Sequence, residues 1–262
     1  MEIRTVNAGQ GWQWIKQGVA LFQKSPMQWM IMVGLLFVAI KIILLIPFLG
    51  LAVVLLFPVL LVGLMEGCRA LEYGKPLAFG YLLSGFVRNT GALVTLGGIS
   101  LAGNLLVMMI ITGLGGEAIT AVMKFTAQNK VTPENVHEIR AAASKATYSI
   151  LLGWALSIPL MLALWFAPLL AYFNNLKPLA AMQYSLVACW RNMAAFMLYF
   201  AVLFTALMLA TPIAMVARTM DLGLWLLAPV IIPTIYACYK GIFDIADTGE
   251  PKVITPPPSD AA

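Results

Sequence analysis

The sequence predicts an all-α integral membrane protein with six transmembrane helices. Hydrophobic residues make up 61% of the chain and charged residues only 10%, a composition that does not suit a surface in contact with water. The 262 residues leave room for about six apolar runs of roughly 20 residues, the length that crosses a bilayer. A short segment recurs before these runs and predicts three hairpin repeats, each preceded by a short interfacial helix.

The recurring segment is clearest at 75–89, KPLAFGYLLSGFVRN, and at 177–192, KPLAAMQYSLVACWRN. Both copies begin with Lys-Pro-Leu-Ala, continue as a mostly apolar helix and end with Arg-Asn before a long apolar run. A more divergent copy near the N-terminus has Lys24-Ser25 at the place of Arg-Asn. Each unit therefore predicts an interfacial helix, a basic residue and a residue that caps the following span. The predicted capping residues are Ser25, Asn89 and Asn192.

The predicted spans form three hairpins that enter the membrane from the same face, so the repeats are parallel. The spans cover residues 27–46, 51–65, 90–111, 147–172, 193–217 and 224–239. Gly113–Gly116 is predicted to end the third span, and residues 117–145 to form a helical hairpin outside the membrane. We expect residues 1–245 to form a single membrane domain and 246–262 to be a disordered tail, because the tail lacks the apolar content to fold.

Basic residues near the span ends predict the orientation in the membrane. An even number of spans places both termini on one side, and most lysines and arginines lie on that side. The other side carries Lys124, Lys130, Arg140, Lys145 and Arg218. Because the side richer in basic residues faces the cytoplasm, we expect cytoplasmic termini and a periplasmic 117–145 hairpin in a bacterial inner membrane. The net charge of +5 comes from single residues at span ends and predicts no nucleic-acid partner.

The sequence shows no pattern typical of catalysis or cofactor binding. His137 is the only histidine, and its neighbours Glu134 and Glu138 share one short helix with it, whereas metal sites need ligands that converge from several elements. Catalytic Ser-His-Asp sets and phosphate-binding glycine loops do not occur either. We therefore expect no enzyme, no catalytic residues, no metal and no cofactor. The cysteines are interpreted as small apolar fillers: Cys68, Cys189 and Cys238.

A charged run follows the second predicted span. Glu66, Arg69, Glu72 and Lys75 alternate in sign at three-residue spacing, which allows ion pairs along one face of a helix. The pattern predicts a locally paired helix end in solvent, and the alternative is a catalytic pair of carboxylates. The tryptophans at span boundaries predict an interfacial belt: Trp12, Trp14, Trp29 and Trp190.

Two polar residues, Lys41 and Asn104, lie inside predicted spans. Both are roughly 22 Å from the cytoplasmic interface at about 1.5 Å per helical residue. At this shared depth they could meet and form a polar spot that lines a cavity. The alternative is that Lys41 extends to the outer interface while Asn104 bonds to a neighbouring helix.

Three basic residues occupy matching places in the repeats, each just before a span. Lys24, Arg88 and Arg191 are predicted to lie at the headgroup level of the cytoplasmic leaflet. Positive side chains and helix N-termini both favour anionic headgroups there. We hypothesise that these residues bind phosphatidylglycerol or cardiolipin headgroups, and the alternative is that they only set topology during insertion.

The Lys-Pro-Leu-Ala…Arg-Asn units, Ala167-Pro168 and the six-span plan resemble an uncharacterised family of betaproteobacterial inner-membrane proteins. More distantly, the chain is similar to YciC-type proteins and to the membrane domain of some glycerophosphodiester phosphodiesterases. The resemblance covers about residues 10–245. It implies a helical inner-membrane protein and assigns no catalytic residues, because the phosphodiesterase chemistry does not carry over.

Together these features predict a non-enzymatic accessory, assembly or regulatory component that acts through helix and lipid contacts. Its expected partners are membrane lipids, including anionic ones, and another protein of the inner membrane. The alternative is a transporter or permease-like protein for a small or amphiphilic molecule. The hairpins with prolines in their returning spans and the Lys41 and Asn104 pair favour that alternative.

Overall fold

The computed structural model describes residues 2–128, 136–216 and 220–243. The helices are α1 (Gln10–Gln23), α2 (Pro26–Leu44), α3 (Leu49–Glu72), a 3-10 helix (Phe79–Leu83), α4 (Ser84–Val87), α5 (Thr90–Gln128), α6 (Val136–Trp165), α7 (Ala167–Phe173), α8 (Pro178–Arg191), α9 (Met193–Val216) and α10 (Met220–Ile242). The chain divides into two compact units. The first unit comprises Met1–Gly97 and Ala163–Ala262, and the second comprises Gly98–Leu162.

Within the described residues, six helical segments are long and apolar enough to cross a membrane. They are Pro26–Leu44, Leu49–Glu72, Thr90–Phe125, Val136–Phe173, Met193–Thr211 and Trp225–Ile242. The all-helical class and the number of spans predicted from the sequence are thus confirmed. The arrangement as three parallel hairpin repeats stays a prediction.

Helix α5 differs from the prediction because it continues through Gly113–Gly116 as far as Gln128. The helix therefore does not end at these glycines, and the point where the third span leaves the membrane stays a prediction. A Cβ atom at Gly115 would lie 2.2 Å from the Ser149 hydroxyl oxygen of α6, so this glycine permits close helix packing instead of ending the helix. Residues 129–135 of the predicted 117–145 hairpin and the tail at 246–262 lie outside the described residues.

In the second unit, small residues bring α5 and α6 together. A Cβ atom at Gly103 would lie 2.5 Å from a methyl carbon of Leu160, and one at Gly153 would lie 2.2 Å from a methyl carbon of Ile111. The glycines therefore let side chains of one helix lie against the backbone of the other, a packing contact that holds helices together inside a bilayer, where water does not drive them together.

The core of the first unit is aromatic. Trp14 of α1 lies 5.4 Å from the ring of Phe196 in α9, and Phe166 lies 5.4 Å from Phe243 at the end of α10. All four side chains are buried. Aromatic pairs at such separations add stabilisation beyond the area they bury. The core therefore joins α1, α7, α9 and α10.

Helix α1 packs against α10 through glycine. A Cβ atom at Gly18 would lie 2.5 Å from the backbone nitrogen of Thr234, and one at Gly11 would lie 2.3 Å from the Ala195 carbonyl oxygen. Trp14, on the same face, is completely buried. The face of α1 that packs against the rest of the first unit thus contains Gly11, Trp14 and Gly18.

The predicted tryptophan belt is wrong for two of its four members. Trp14 and Trp29 are completely buried inside the protein, whereas Trp12 and Trp190 are exposed. A glycine makes room for Trp14, because a Cβ atom at Gly241 would lie 2.4 Å from the ring nitrogen of this tryptophan. Position at a span boundary therefore did not decide which tryptophans face outward.

The two ends of the described chain lie together in the first unit. Ile3 pairs with Phe243 in an isolated antiparallel bridge, and the Arg4 backbone N–H donates to the Ile242 carbonyl at 3.0 Å. An even number of spans requires both ends on one side of a membrane, and these contacts agree with that expectation.

Candidate functional site

A cluster of charged side chains lies at the end of α3. Glu66 and Arg69 are one helical turn apart and only 5% and 2% exposed. The predicted helix end in solvent is therefore wrong for both. The 77–85 segment folds back onto α3, where a Cβ atom at Gly63 would lie 2.6 Å from the Leu82 carbonyl oxygen. This close contact covers the charged face that the sequence pattern placed in water.

Arg69 is held among aromatic rings. Its guanidinium carbon lies 5.7 Å from the ring centroids of both Tyr73 and Phe173, within the range of cation–π attraction. One guanidinium nitrogen is 3.9 Å from a Glu66 carboxylate oxygen, an ion-pair distance that is too long for a hydrogen bond. A buried charge pair of this kind is costly to break, because either partner alone would be left buried without its counter-charge.

Glu72, at the last position of α3, joins this helix to α10. The Tyr236 hydroxyl donates to one carboxylate oxygen of Glu72 at 2.9 Å, and the Lys240 ammonium contacts the other. Both partners come from α10. The carboxylate is thus engaged at both of its oxygens, and the ends of the two helices are held together.

A cleft of about 440 Å³ opens beside this junction in the first unit. Polar and charged side chains from α1, α3 and α10 line it: Gln10, Gln17, Lys24, Glu72, Tyr236 and Lys240. The Lys24 ammonium donates to the Leu71 carbonyl at 2.9 Å. Two lysines that are distant in the sequence therefore face one cleft, and Glu72 is the carboxylate among its described lining residues.

The predicted capping residues have other roles. In the described part of the chain, Ser25 makes no side-chain capping bond. The Asn89 side chain donates to the Ala171 carbonyl at 2.8 Å and to the Asn175 side chain at 2.9 Å. The Asn192 side-chain oxygen accepts from the backbone N–H of Val6 at 2.8 Å.

The capping prediction is therefore wrong for Ser25, and it stays a prediction for Asn89 and Asn192. The asparagine amides stabilise contacts between segments that are far apart in the sequence. Asn89 has a φ of 56°, a left-handed conformation that asparagine adopts more readily than most residues. In this conformation its side chain is used for the contact with the Ala171–Asn175 region.

The three basic residues predicted to bind lipid headgroups have different surroundings. Lys24 lines the cleft described above, and Arg88 places its guanidinium carbon 5.4 Å from the ring centroid of Tyr172. Arg191 is exposed and lines a separate groove beside Glu2. Their shared role as headgroup ligands stays a prediction.

Lys41 and Asn104 belong to different units. Lys41 is exposed in the last turn of α2. The Asn104 side chain donates to the Ser100 carbonyl of its own helix at 2.7 Å, so a bond within one helix already satisfies part of this amide. The contact between Lys41 and Asn104 stays a prediction.

The cysteines are buried thiols. Burial raises the pKa of the Cys189 thiol to about 12, so this group stays protonated and a poor nucleophile near neutral pH. This environment agrees with the interpretation as apolar fillers. Among the described residues, no three His, Cys, Asp or Glu side chains are grouped so that they could hold a metal ion.

Comparison with known proteins gives a relative over nearly the full length. The chain is 30% identical over 274 residues to a probable inner membrane protein of Burkholderia thailandensis, covering 97% of this chain and 98% of that protein. The chain belongs to the family of this inner membrane protein. No protein-family profile and no solved structure matches this chain.

Membership of this inner-membrane family and the six apolar helices make the chain a multi-pass inner-membrane protein. The broader resemblance noted from the repeat units is confirmed to that extent. The more distant resemblance to YciC-type proteins and to the phosphodiesterase membrane domain gains no support from the comparison.

The contact between the ends of α3 and α10 was not predicted from the sequence of this protein. A signal was present, because apolar residues surround the Glu66–Arg69 turn on both sides in the sequence. Charged residues within an apolar helical run are more often buried and paired than those in a polar run. Tyr236 and Lys240, four residues apart at the end of the last span, also lie on one helical face.

Proposed function

We propose that the protein is a non-enzymatic accessory, assembly or regulatory component of the inner membrane that acts through helix and lipid contacts. The observation that carries this proposal is the outward surface of the spans. Only 11% to 44% of the most apolar stretch of each span is buried inside the described protein. The rest is apolar surface that acyl chains or the helices of a partner protein would cover in a bilayer.

The buried charges support the same proposal. Glu66 and Arg69 are enclosed by protein, and Glu72 is engaged by two residues of α10. Groups used in this way hold helices in register, and the buried Glu66 lacks the access to a substrate that a catalytic carboxylate would need.

We also propose that the spans form three parallel hairpins, each preceded by an interfacial segment, with both termini in the cytoplasm. The lengths of the segments support this arrangement, because α1 and α8 each have 14 residues and each directly precedes a predicted span. The middle copy differs, since its interfacial segment is a 3-10 helix followed by the single turn α4.

Lipid contacts form the second part of the proposal. Lys24, Arg88 and Arg191 each lie at the end of an interfacial segment, close in sequence to the start of a span. Basic side chains near a membrane surface each contribute about 1 kcal/mol of attraction to anionic lipid. We propose that they contact anionic headgroups in the cytoplasmic leaflet.

Photo-crosslinking in native membranes tests the proposed helix contacts. A photoreactive amino acid would replace Met109 of α5 or Leu209 of α9, which are exposed on predicted spans, and separately Leu93, which is buried. We expect discrete adducts with another protein from Met109 or Leu209, because their side chains face outward. We expect none from the matched control at Leu93, because its side chain is covered by this chain.

Two results would contradict the proposed contacts with the helices of another protein. One is lipid adducts alone from both outward positions, and the other is equal yields of protein adducts from the outward and buried positions. Recovery of each variant at the wild-type level, measured by its amount in the membrane fraction, shows that the substitutions leave the protein folded.

A transporter or permease-like protein for a small or amphiphilic molecule is the second candidate. It is favoured by the polar cleft and by the prolines inside the helices beside it, Pro58 of α3 and Pro229 and Pro233 of α10. A proline within a helix removes a backbone hydrogen bond and provides a point of bending. Uptake of a labelled solute by vesicles that contain only the purified protein would favour this candidate over the accessory role.

A further inference from the structure

We propose that the cleft between α1 and the ends of α3 and α10 binds the phosphodiester headgroup of an anionic phospholipid whose head carries hydroxyl groups, as in phosphatidylglycerol. The inference rests on the proposed lipid contacts and assigns them to one built site. It adds to one of those three basic positions, Lys24, a second lysine, Lys240 of α10, that lines the same cleft.

Both lysines have N–H donors beyond those in their contacts with the protein, and these can bind a phosphate. An ammonium group has three N–H donors. Lys24 uses one on the Leu71 carbonyl, and Lys240 uses one on Glu72. These contacts hold the two charged ends in place and leave further N–H groups for phosphate oxygens. Hydrogen bonds between ionised groups are roughly twice as strong as neutral ones.

The charge of the cleft favours an anionic over a zwitterionic headgroup. Its described lining carries two positive side chains and one negative side chain. The negative one, Glu72, is already engaged by Tyr236 and Lys240, so it is poorly placed to bind the ammonium group of an ethanolamine head. One net positive charge matches the single negative charge of a phosphodiester.

The neutral polar groups of the cleft favour a headgroup with hydroxyls. Gln10 and Gln17 of α1 contribute side-chain amides to the lining. An amide can both donate to and accept from a hydroxyl group. A glycerol head therefore finds partners for its hydroxyls on α1 while its phosphate contacts the lysines.

The position of the cleft suits a membrane lipid. Glu72 is the last residue of one candidate span, and Lys240 lies in the last turn of another. The ends of spans coincide with the headgroup region of a bilayer. The cleft volume of about 440 Å³ is within the usual range of roughly 300–1,000 Å³ for ligand sites. Ala20, Leu21 and Ala237 provide apolar wall for the adjoining part of a lipid.

Native mass spectrometry of the purified full-length protein tests the proposal. After removal of bound lipid, the protein is titrated with phosphatidylglycerol and separately with phosphatidylethanolamine of identical acyl chains. We expect phosphatidylglycerol to bind about tenfold more tightly, because only its head matches the charge of the cleft. A third titration with soluble glycerophosphoglycerol separates a membrane lipid from a free phosphodiester as the source of the ligand.

The test variant carries Lys24→Gln with Lys240→Gln, and the control variant carries Lys16→Gln with Lys177→Gln. Both remove two lysine charges, but Lys16 and Lys177 are exposed residues outside the cleft lining. We expect the test variant to lose the preference for phosphatidylglycerol and the control to keep it. Ala20→Phe, which fills part of the cleft without a change of charge, is expected to weaken binding at least severalfold.

Several outcomes would overturn the assignment. These are equal losses in the test and control variants, equal affinities for the two lipids, or unchanged binding in both the test variant and Ala20→Phe. Binding of soluble glycerophosphoglycerol as tight as that of the lipid would overturn a membrane source. None of these results bears on the protein adducts expected from Met109 or Leu209. Failure of this lipid site is therefore distinguishable from failure of the proposed accessory role.

Discussion

The spacing of the charged residues at the end of α3 does not reveal which of them are buried. Glu66 and Glu72 both belong to the alternating run at the end of α3, yet Glu66 is buried and Glu72 is partly exposed and bonded to α10. The three-residue spacing allows ion pairs in solvent and in the protein interior alike. Burial was decided by the chain segments that pack on each side of the helix.

The buried pair of Glu66 and Arg69 leads to a prediction about stability. Replacing Arg69 by Leu should destabilise the protein by roughly 3–5 kcal/mol, because it leaves the Glu66 carboxylate buried without this counter-charge. Replacing both residues by Leu should cost less than the sum of the two single replacements, since neither charge then remains.

Unfolding of the detergent-solubilised single and double variants measures this coupling. Lys75→Leu, a change of one charge in the same run at a less buried position, serves as the control. Additive effects of the Glu66 and Arg69 replacements would show that the two side chains do not depend on each other.

At the scale of elements, close packing at glycines positions α1. The spacing of Trp12, Ile15, Val19 and Phe22 places these apolar residues on one face of α1. Trp12 is nevertheless 44% exposed, whereas the neighbouring strip of Gly11, Trp14 and Gly18 is buried. Glycine contributes little hydrophobicity, so a helix face lined by glycines does not stand out in an amphipathic pattern. It nevertheless determines how closely α1 can approach α10, and hence where Lys24 lies.

Adding one methyl group at Gly18 should disturb this packing. Gly18→Ala would place a Cβ atom 2.5 Å from the Thr234 backbone nitrogen, and a backbone atom cannot rotate away. We expect a loss of about 1–3 kcal/mol in stability, the usual cost of an overfilled interior. Thermal unfolding in detergent measures the change.

Gly113→Ala is the matched control, since no atom lies within 4 Å of the added methyl group in the described structure. Alanine favours helix by about 1 kcal/mol over glycine, so this variant should be as stable as the wild type or more stable. Equal destabilisation by both substitutions would contradict the role of close packing at Gly18.

At the scale of the whole molecule, the contact between the two ends of the described chain is consistent with an even number of spans. The bridge between Ile3 and Phe243 and the bond from Arg4 to Ile242 keep both ends of the described chain together. Asn192 extends this junction, because its side chain accepts from Val6 and donates to the Arg4 carbonyl at 3.0 Å. The start of α9 is thereby tied to the same end of the first unit.

The distribution of basic residues predicts which side of the membrane carries that junction. A reporter that is active only in the periplasm should be active when fused after Asn129 and silent when fused after Pro257, because the face richer in lysine and arginine stays in the cytoplasm. A second reporter, active only in the cytoplasm, should give the opposite pattern at the same two positions. Periplasmic activity after Pro257 would reverse the orientation and remove the cytoplasmic assignment of the cleft.

The sequence by itself determined the helical class and the number of apolar spans. These properties follow from the length and composition of apolar runs, which act locally because every backbone group in a bilayer must be bonded within its own helix. Helix ends depend on local signals that packing can override, as the continuation of α5 through Gly113–Gly116 shows.

Only the tertiary structure decided which side chains share a site. It buried Arg69 between α3 and α7, and it brought the Asn89 side chain into contact with Ala171. It also brought Lys24 and Lys240, from opposite ends of the chain, to one cleft. Such contacts depend on the packing of helices that are distant in the sequence, and packing is set by shape complementarity at close range, which no local pattern encodes.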